Sequence, residues 1–218
     1  VDLTTTDMFT MDTVDGVRTY MEQIALPPPA VIFEGDEAAT DSPLRVMLVS
    51  SAQYTRFAAD PNFRQMQASA LARASQAGGH PLFKGDVGLW NGVLIVKMPK
   101  PIRFYAGDTI QYCAAYNTEV ESSCVVPDSF ADKFAIDRAI LRGGQAVAEA
   151  FAASEKAKLP FFWSEKELDH GDKVELLLGM IRGVSKIRFE VDHGDGKQIT
   201  DYGVTVIDTA VPIIGARK

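Results

Sequence analysis

The chain has 218 residues, 46% of them apolar, and its 22 Lys and Arg against 29 Asp and Glu give a formal net charge of −7. Length and apolar content allow one large or two small globular domains with a substantial core. The acidic balance argues against a basic surface for binding nucleic acid. Apolar runs of four or five residues are too short to cross a bilayer, and the first residues lack the features of a signal peptide.

The first segment with a clear period is a helix. Asp12 or Thr13 suits its N-cap, and apolar side chains recur at helical spacing until three prolines end it. Because the chain shows neither an initiator Met nor an element before this helix, we expect a processed or truncated form of a longer protein. A strand is predicted at 31–33, an acidic loop at 34–43, and an apolar, central strand at 45–49.

A long helical pattern covers 52–77, with a break at Asp60-Pro61-Asn62. Ser50 or Ser51 can cap it, and Gly78-Gly79 ends it. One side of the pattern is apolar, which indicates a core or an interface. The other sides carry three arginines: Arg56, Arg64 and Arg73.

The stretch 81–99 predicts a hairpin that lies with one face on a core. Asn91-Gly92 supplies positive φ at a tight turn, and Val93 to Val96 is a run rich in β-branched residues. Strands are expected at 102–105 and 109–112, followed by a polar loop at 116–132.

A glycine pair divides the stretch 134–153. A single helix would place Gly143 and Gly144 in its middle, at a cost of roughly 2 kcal/mol. We therefore predict a strand at 139–141 followed by a helix at 145–153.

A charged loop is predicted at 164–173. Phe161, Phe162 and Trp163 are expected to anchor its base in the core, since aromatic side chains are strongly apolar. The loop carries acids and lysines in close succession: Glu165, Lys166, Glu167, Asp169, Asp172 and Lys173.

The last third of the chain otherwise predicts strands. They are expected at 174–178 and 187–191, with Gly179 and Gly183 as candidate bulges, and at 202–210.

The two cysteines, Cys113 and Cys124, are too few for a disulfide framework. Free thiols in a reducing compartment are expected, and a loop-closing bridge is the alternative.

A repeated tetrapeptide, Asp-His-Gly-Asp at 169–172 and 192–195, is the strongest catalytic pattern. Carboxylate and imidazole at this spacing can ligate a metal or act as a general base. Turns at two strand ends use the same residues, and we favour that interpretation. His80, the third histidine, is expected in a loop. No nucleophile elbow, zinc-protease motif or phosphate-binding loop is present, so neither a catalytic residue nor a cofactor is predicted.

Three segments resemble a known family. They are 82–92, with Leu82-Phe83-Lys84-Gly85 and Gly88-Leu89-Trp90-Asn91-Gly92; 134–153; and a C-terminal set comprising Trp163, Glu165, Asp169, Gly171, Ile181, Gly183, Lys186, Arg188, Phe189, Asp201, Gly203, Val204, Ile207, Asp208, Thr209 and Ala210. In this order they resemble tailed-phage major capsid proteins of the podovirus type, which have the Hong Kong 97-type fold.

The resemblance implies an α+β fold in which residues 1–155 form most of an A domain, 156–184 part of a P domain, and 185–218 return strands to the A domain. The N-terminal arm, E-loop and spine helix of the family have no counterpart in the sequence.

The resemblance also implies a function. The chain is expected to be a structural subunit of an icosahedral head that assembles with copies of itself into pentamers and hexamers in the bacterial cytoplasm. Scaffolding, portal or decoration proteins are further candidate partners, DNA would be met only non-specifically, and no membrane is involved. The implied contact residues are Arg56, Asp60, Arg64, Arg73, Glu165, Lys166, Glu167, Asp169, Asp172 and Lys173. A metal-dependent or hydrolytic α/β enzyme that uses the two Asp-His-Gly-Asp turns is the alternative.

Overall fold

Residues 3–24, 26–32, 44–65, 87–113, 121–131, 133–153, 160–192 and 196–213 are described in a computed structural model of the chain. The chain divides into two units by its internal contacts. The main unit comprises Val1–Ala146 and Arg188–Lys218, and the ribbon unit comprises Val147–Ile187.

Strands outnumber helices in the described residues. In chain order the elements are α1 (Met11–Gln23), β1 (Arg45–Val49), α2 (Ser51–Ala58), β2 (Val87–Trp90), β3 (Val93–Lys97), β4 (Ile102–Phe104), β5 (Thr109–Cys113), β6 (Glu121–Val125), β7 (Phe134–Arg142), β8 (Val147–Phe151), β9 (Phe161–Leu168), β10 (Lys173–Met180), β11 (Arg182–Lys186), β12 (Arg188–Asp192), β13 (Lys197–Asp201) and β14 (Val204–Pro212). Short 3-10 helices lie at Asp128–Phe130 and Asp169–Gly171. β8 to β11 make up the ribbon unit.

A six-stranded sheet organises the main unit, with the order β14-β7-β1-β3-β2 and with β4 beside the first half of β7. β1 runs parallel to β3, and the other pairs are antiparallel. The predicted central position of β1 is confirmed, because β1 lies between β3 and β7. The predicted hairpin is also confirmed: β2 and β3 are joined by Asn91 and Gly92, which have φ of 44° and 68°.

The larger core lies between one face of this sheet and the two helices. Met47, Ile95 and Leu141 of three neighbouring strands are fully buried against a cluster that includes Val14 of α1 and Phe57 of α2. Burial of these side chains stabilises the main unit by removing apolar surface from water.

Both helices begin at capping boxes. Ser50 caps α2, as the sequence predicts, with its hydroxyl accepting from the Gln53 amide and the Gln53 side chain accepting from the Ser50 amide. The N-cap of α1 is Thr10, so the expected cap at Asp12 or Thr13 is wrong by two or three residues. Thr13 is instead the reciprocal partner in the box. The helical pattern after α2 resumes at 61–65, which agrees with the predicted break, and 66–86 lie outside the described residues.

A second, smaller core lies on the opposite face of β7 and β14. Ile136 and Ala210 pack there with Ile110, Val126 and Phe130. The predicted loop at 116–132 is therefore wrong at 121–125, because β6 pairs with β5 over its whole length. Ser122 and Ser123 favour a loop by composition. The side chains of residues 122–126 nevertheless alternate between less and more exposed, as in a strand, and Val126 is buried.

The glycine pair separates two strands rather than a strand and a helix. β7 is longer than predicted, and the helix expected at 145–153 is wrong because β8 pairs in regular register with β11. Sheet hydrogen bonds here override the helix propensity of the alanines. A Cβ on Gly143 would lie 2.6 Å from Cβ of Pro28, and one on Gly144 would lie 2.5 Å from the Ala30 carbonyl oxygen.

The ribbon unit consists of two antiparallel strand pairs, β8 with β11 and β9 with β10. The charged loop expected at 164–173 is wrong, since 164–168 belong to β9 and only a four-residue tip at 169–172 joins the strands. Gly179 and Gly183 pair in regular register with Phe162 and Ala150, so neither forms a bulge.

The remaining predicted strands are mostly confirmed. β12 pairs with β13, and β14 pairs with β7 along nine residues. The strand expected at 31–33 is reduced to a single bridge between Val31 and Leu44, and 33–43 lie outside the described residues. No helix in the described ranges is long and apolar enough to cross a membrane.

Candidate subunit contact surfaces

The end of α2 carries one set of predicted contact residues. Arg56 lies exposed in its last turn and makes no ion pair with a described residue. Asp60 accepts from the Asn62 amide (2.8 Å), and the Arg64 guanidinium donates to the Ala58 carbonyl (2.9 Å), so both stabilise the junction after α2. Arg73 lies outside the described residues.

The tip of the ribbon unit carries the other set. Lys173 and Asp169 form an exposed ion pair, with Nζ 2.8 Å from Oδ2. The remaining charged residues of this set are exposed and make no ion pair with a described residue: Glu165, Lys166, Glu167 and Asp172. Exposed charges of this kind are available to a partner but contribute little to the stability of the free chain.

The two faces of the β9-β10 pair differ in composition. Residues opposite each other in the register share a face, because side chains alternate along a strand. One face, which we call the apolar ribbon face, carries Phe161, Trp163, Glu165, Glu167, Val174, Leu176, Leu178 and Met180. The other, the polar ribbon face, carries Phe162, Ser164, Lys166, Leu168, Lys173, Glu175, Leu177 and Gly179.

The aromatic anchor predicted for this region is wrong, because none of its three side chains is buried in a core. Phe161 is 62% and Trp163 68% exposed. Only Phe162 is half-buried, and its ring lies over Gly179, where an added Cβ would meet ring carbons within 2.2–2.8 Å. Phe161 and Trp163 alternate with Phe162 along β9, so they lie together on the apolar ribbon face, where both are exposed.

Neither Asp-His-Gly-Asp stretch joins a metal-binding cluster in the described ranges. The first forms the exposed ribbon tip, where Asp169 and His170 both have positive φ (55° and 57°), as turn residues do. The second is described only at Asp192. No group of three or more His, Cys, Asp or Glu residues that could hold a metal occurs among the described residues.

Cys124 is a free thiol, half-buried in the smaller core. Its neighbour across the strand pair is Ile110, whereas Cys113 lies opposite Glu121. The expected free thiol is thus found at Cys124.

A buried polar network, absent from the predictions made from the sequence, lies at the centre of the sheet. Gln53 is fully buried, and its amide nitrogen donates to the Asp137 carbonyl and to the Thr209 hydroxyl (both 2.9 Å). The buried Asp137 carboxylate accepts two hydrogen bonds from Arg103 (2.6 and 2.8 Å), which ties β4 to β7. The sequence does contain a signal for this network, since Asp137 and Arg138 interrupt the apolar run 134–141. A charged side chain on a buried strand needs a partner.

A second bidentate pair joins β7 to β14. Arg138 donates to both carboxylate oxygens of Asp208 at 2.8 Å, with the Phe104 ring 5.1 Å from its guanidinium carbon. Hydrogen bonds to the carboxylates raise the pKa of Arg138 and of Arg103, so both remain charged. Because each group in these pairs is satisfied by its partner, the network fixes strand register and leaves no group poised for chemistry.

The family model described as "Phage capsid protein" matches residues 2–213 of the chain. No curated protein matches it.

Solved phage heads share the fold. The capsid of Ralstonia phage GP4 has a TM-score of 0.63 at 23% identity, covering 97% of this chain and 49% of that one. The Cyanophage Pam1 capsid asymmetric unit has a TM-score of 0.58 at 16% identity, with 96% and 48% covered. For the head of Helicobacter pylori bacteriophage KHP40 the values are 0.53, 15%, 95% and 61%. The chain therefore spans about half the length of the first two capsid chains.

Proposed function

The chain belongs to the phage capsid protein family, and on that premise we propose that it is a structural subunit of a bacteriophage or prophage head, assembling with copies of itself into a closed shell. The family match over 2–213 carries this proposal, and the fold shared with three phage heads supports it. The α+β class and the capsid resemblance expected from the sequence are confirmed.

The main unit is proposed to be the A domain and the ribbon unit part of the P domain. The division supports this assignment, because the ribbon unit begins at residue 147 and ends at 187, against expected bounds of 156 and 184. In this mapping the segment 60–79, described only to residue 65, lies near the five- or six-fold axis, with Arg56 and Arg64 facing neighbouring subunits.

Pentamers and hexamers of the chain are the proposed assembly units, formed in the bacterial cytoplasm and found in the virion. The role is structural rather than enzymatic. The net charge of −7 supports only non-specific contact with packaged DNA, since acidic surfaces do not grip phosphates. Scaffolding, portal or decoration proteins are the further partners proposed.

The isolated chain is proposed to be monomeric or weakly associated at micromolar concentration. An interface below about 1,200 Å² is usually transient, and a chain of half the length of its structural relatives offers less area for overlap.

The test is expression of the complete gene product followed by electron microscopy. Closed icosahedral particles with the protein as their main component are expected. A product that stays a soluble monomer under all assembly conditions would contradict the proposal. If it also held close to one equivalent of a transition metal by emission spectroscopy, the enzyme alternative would replace it, with the metal ligands sought at the two Asp-His-Gly-Asp turns.

A further inference from the structure

Six apolar side chains are exposed on one face of the ribbon unit. Their exposed fractions are high for residues of this type: Phe161 62%, Trp163 68%, Val174 58%, Leu176 59%, Leu178 72% and Met180 46%. Together they present on the order of 500 Å² of apolar surface, at the upper end of what a soluble monomer usually exposes in one patch. Five of them are direct or diagonal neighbours across β9 and β10, whereas Val174 lies opposite Glu167 and adjoins the patch through Leu176 on its own strand.

The ribbon unit cannot gain its stability from burial. No described residue between 147 and 187 is buried. A two-stranded hairpin is marginally stable in water and needs a third strand or a packed face to hold its structure. The apolar ribbon face is therefore a surface that a partner must cover if the ribbon is to keep its conformation.

The charges on this face restrict the partner. Glu165 and Glu167 lie toward the tip end of the apolar ribbon face and make no ion pair with a described residue. Two ribbons that packed face to face would bring four carboxylates into one contact or set them against apolar side chains, and both arrangements are unfavourable. The covering surface is therefore apolar with cationic groups at one side.

The main unit of the same sequence offers such a surface. Val206, Ile140, Leu48 and Val96 form a row on one face of its sheet, directly opposite one another in the register of four neighbouring strands. Val206 is 44% exposed and the other three are half-buried. Arg142, two residues from Ile140 on the same face, is half-buried and makes no ion pair with a described residue.

We propose that the apolar ribbon face is a docking surface for a second copy of this chain, in a head-to-tail contact in which the ribbon of one copy lies against the main unit of the next. This inference rests on the proposed function, in which each copy of the chain has neighbouring copies in a closed shell. The contact buries roughly 1,000 Å² counted over both copies, near the lower limit of specific interfaces. It is weak for an isolated pair and becomes effective when it is repeated around a shell.

Adjacent leucines on β10 provide a matched test. Leu178 is on the apolar ribbon face and Leu177 on the polar one, and both are exposed (72% and 56%). In the complete gene product, Leu178→Asp is expected to lower the yield of closed particles at least tenfold, whereas Leu177→Asp changes it less than threefold. Thermal unfolding of the main unit should be the same in both variants, since neither leucine is in its core.

Crosslinking of a mixture of unlabelled and ¹⁵N-labelled protein identifies the partner directly. Lysine-reactive crosslinks from Lys166 or Lys173, which lie on the ribbon, should join a labelled to an unlabelled peptide of the main unit. Crosslinks confined to one isotope would show that the same polypeptide covers the face and would overturn the inference, as would equal particle yields for the two leucine variants. Failure of the wild-type protein to form particles would instead refute the proposed function.

Discussion

The main unit and the ribbon unit are built on opposite principles within one chain. In the main unit, Phe57, Met47 and Leu141 are fully buried, and two cores flank a six-stranded sheet. In the ribbon unit no described side chain is buried, and large apolar residues such as Trp163 and Leu178 are exposed. Burial stabilises the first unit in the free chain, whereas the second depends on what it contacts. Substitutions in the two units should therefore affect different measurements.

The largest expected effect is that of Phe57→Ala. Phe57 is fully buried, with its ring centroid 4.5 Å from that of Phe63 and 6.2 Å from that of Phe9. Truncation removes this packing and leaves a cavity, which should lower the free energy of unfolding by about 3–5 kcal/mol. Chemical denaturation monitored by circular dichroism measures it.

Trp163→Ala is the matched substitution in the ribbon unit. Because Trp163 is 68% exposed, its removal should change the free energy of unfolding of the isolated chain by less than about 0.5 kcal/mol. A loss at Trp163 comparable with that at Phe57 would show that the ribbon has a core of its own, and the contrast between the units would fail.

A glycine substitution sharpens the same contrast at the backbone level. Gly144→Ala would place a Cβ 2.5 Å from the Ala30 carbonyl oxygen, and the Gly144 amide donates to the Pro29 carbonyl at 2.7 Å. Neither chain segment can move away without breaking that bond, so a loss of about 1–3 kcal/mol is expected in thermal or chemical unfolding.

The control is Gly183→Ala in β11, where an added Cβ has no atom within 4 Å. It should leave stability within about 0.5 kcal/mol of the wild type. Equal effects at both glycines would mean that the close approach at Gly144 is not what the substitution disturbs.

These glycines also show how far the sequence predicts the fold. The break at Gly143-Gly144 was identified correctly, but the reason for it is a tertiary contact with Pro28 and Ala30, which a local pattern does not contain. The alanines after the break favoured a helix, and only the pairing of β8 with β11, more than 30 residues away along the chain, makes this segment a strand. Strands with a strong local signal, such as β1 and β3, were predicted correctly because their apolar runs and the Asn-Gly turn are local.

The charged contact residues stay a prediction, and the structure tests only the conformation of the segment that carries them. The charged residues between Glu165 and Lys173 are exposed, as expected of contact residues, but their density suggested a loop where the chain forms a strand. Phe161, Trp163, Glu165 and Glu167 recur at every second position, which is typical of one face of a strand. Phe161 and Trp163 were expected to be buried, but burial depends on partners that a single sequence does not specify.

Charge reversal at Glu165 and Glu167 should affect particle assembly without affecting the stability of the fold. Replacing both Glu165 and Glu167 by Lys should shift the melting temperature little, since exposed charges contribute about 0–1 kcal/mol each. In the complete gene product the same change should lower the yield of closed particles, because the carboxylates are proposed to meet cations of a neighbour.

Glu175→Lys on the polar ribbon face is the control for this pair, since Glu175 is exposed on the same hairpin but lies opposite Lys166. Its particle yield should remain close to that of the wild type. If the double variant assembles as well as Glu175→Lys, Glu165 and Glu167 are solvated and have no part in assembly.

The smallest expected effect belongs to the N-terminal segment of the main unit. Hydrogen bonds from the backbone amide (2.7 Å) and hydroxyl (2.9 Å) of Thr4 hold the pKa of Asp7 below its ordinary value. A carboxyl group with a lowered pKa in the folded state stabilises that state above its ordinary pKa, and this contribution is lost as the pH falls through the folded value, below about pH 4. Since the Ala210 amide donates to the Asp7 carbonyl at 2.8 Å, exchange of that amide should speed up slightly on acidification, beyond the intrinsic pH dependence.

Hydrogen exchange between pH 5 and 3 measures the change, and Asp7→Asn should abolish its excess pH dependence. An equal response in Asp7→Asn would assign the effect to another titratable group.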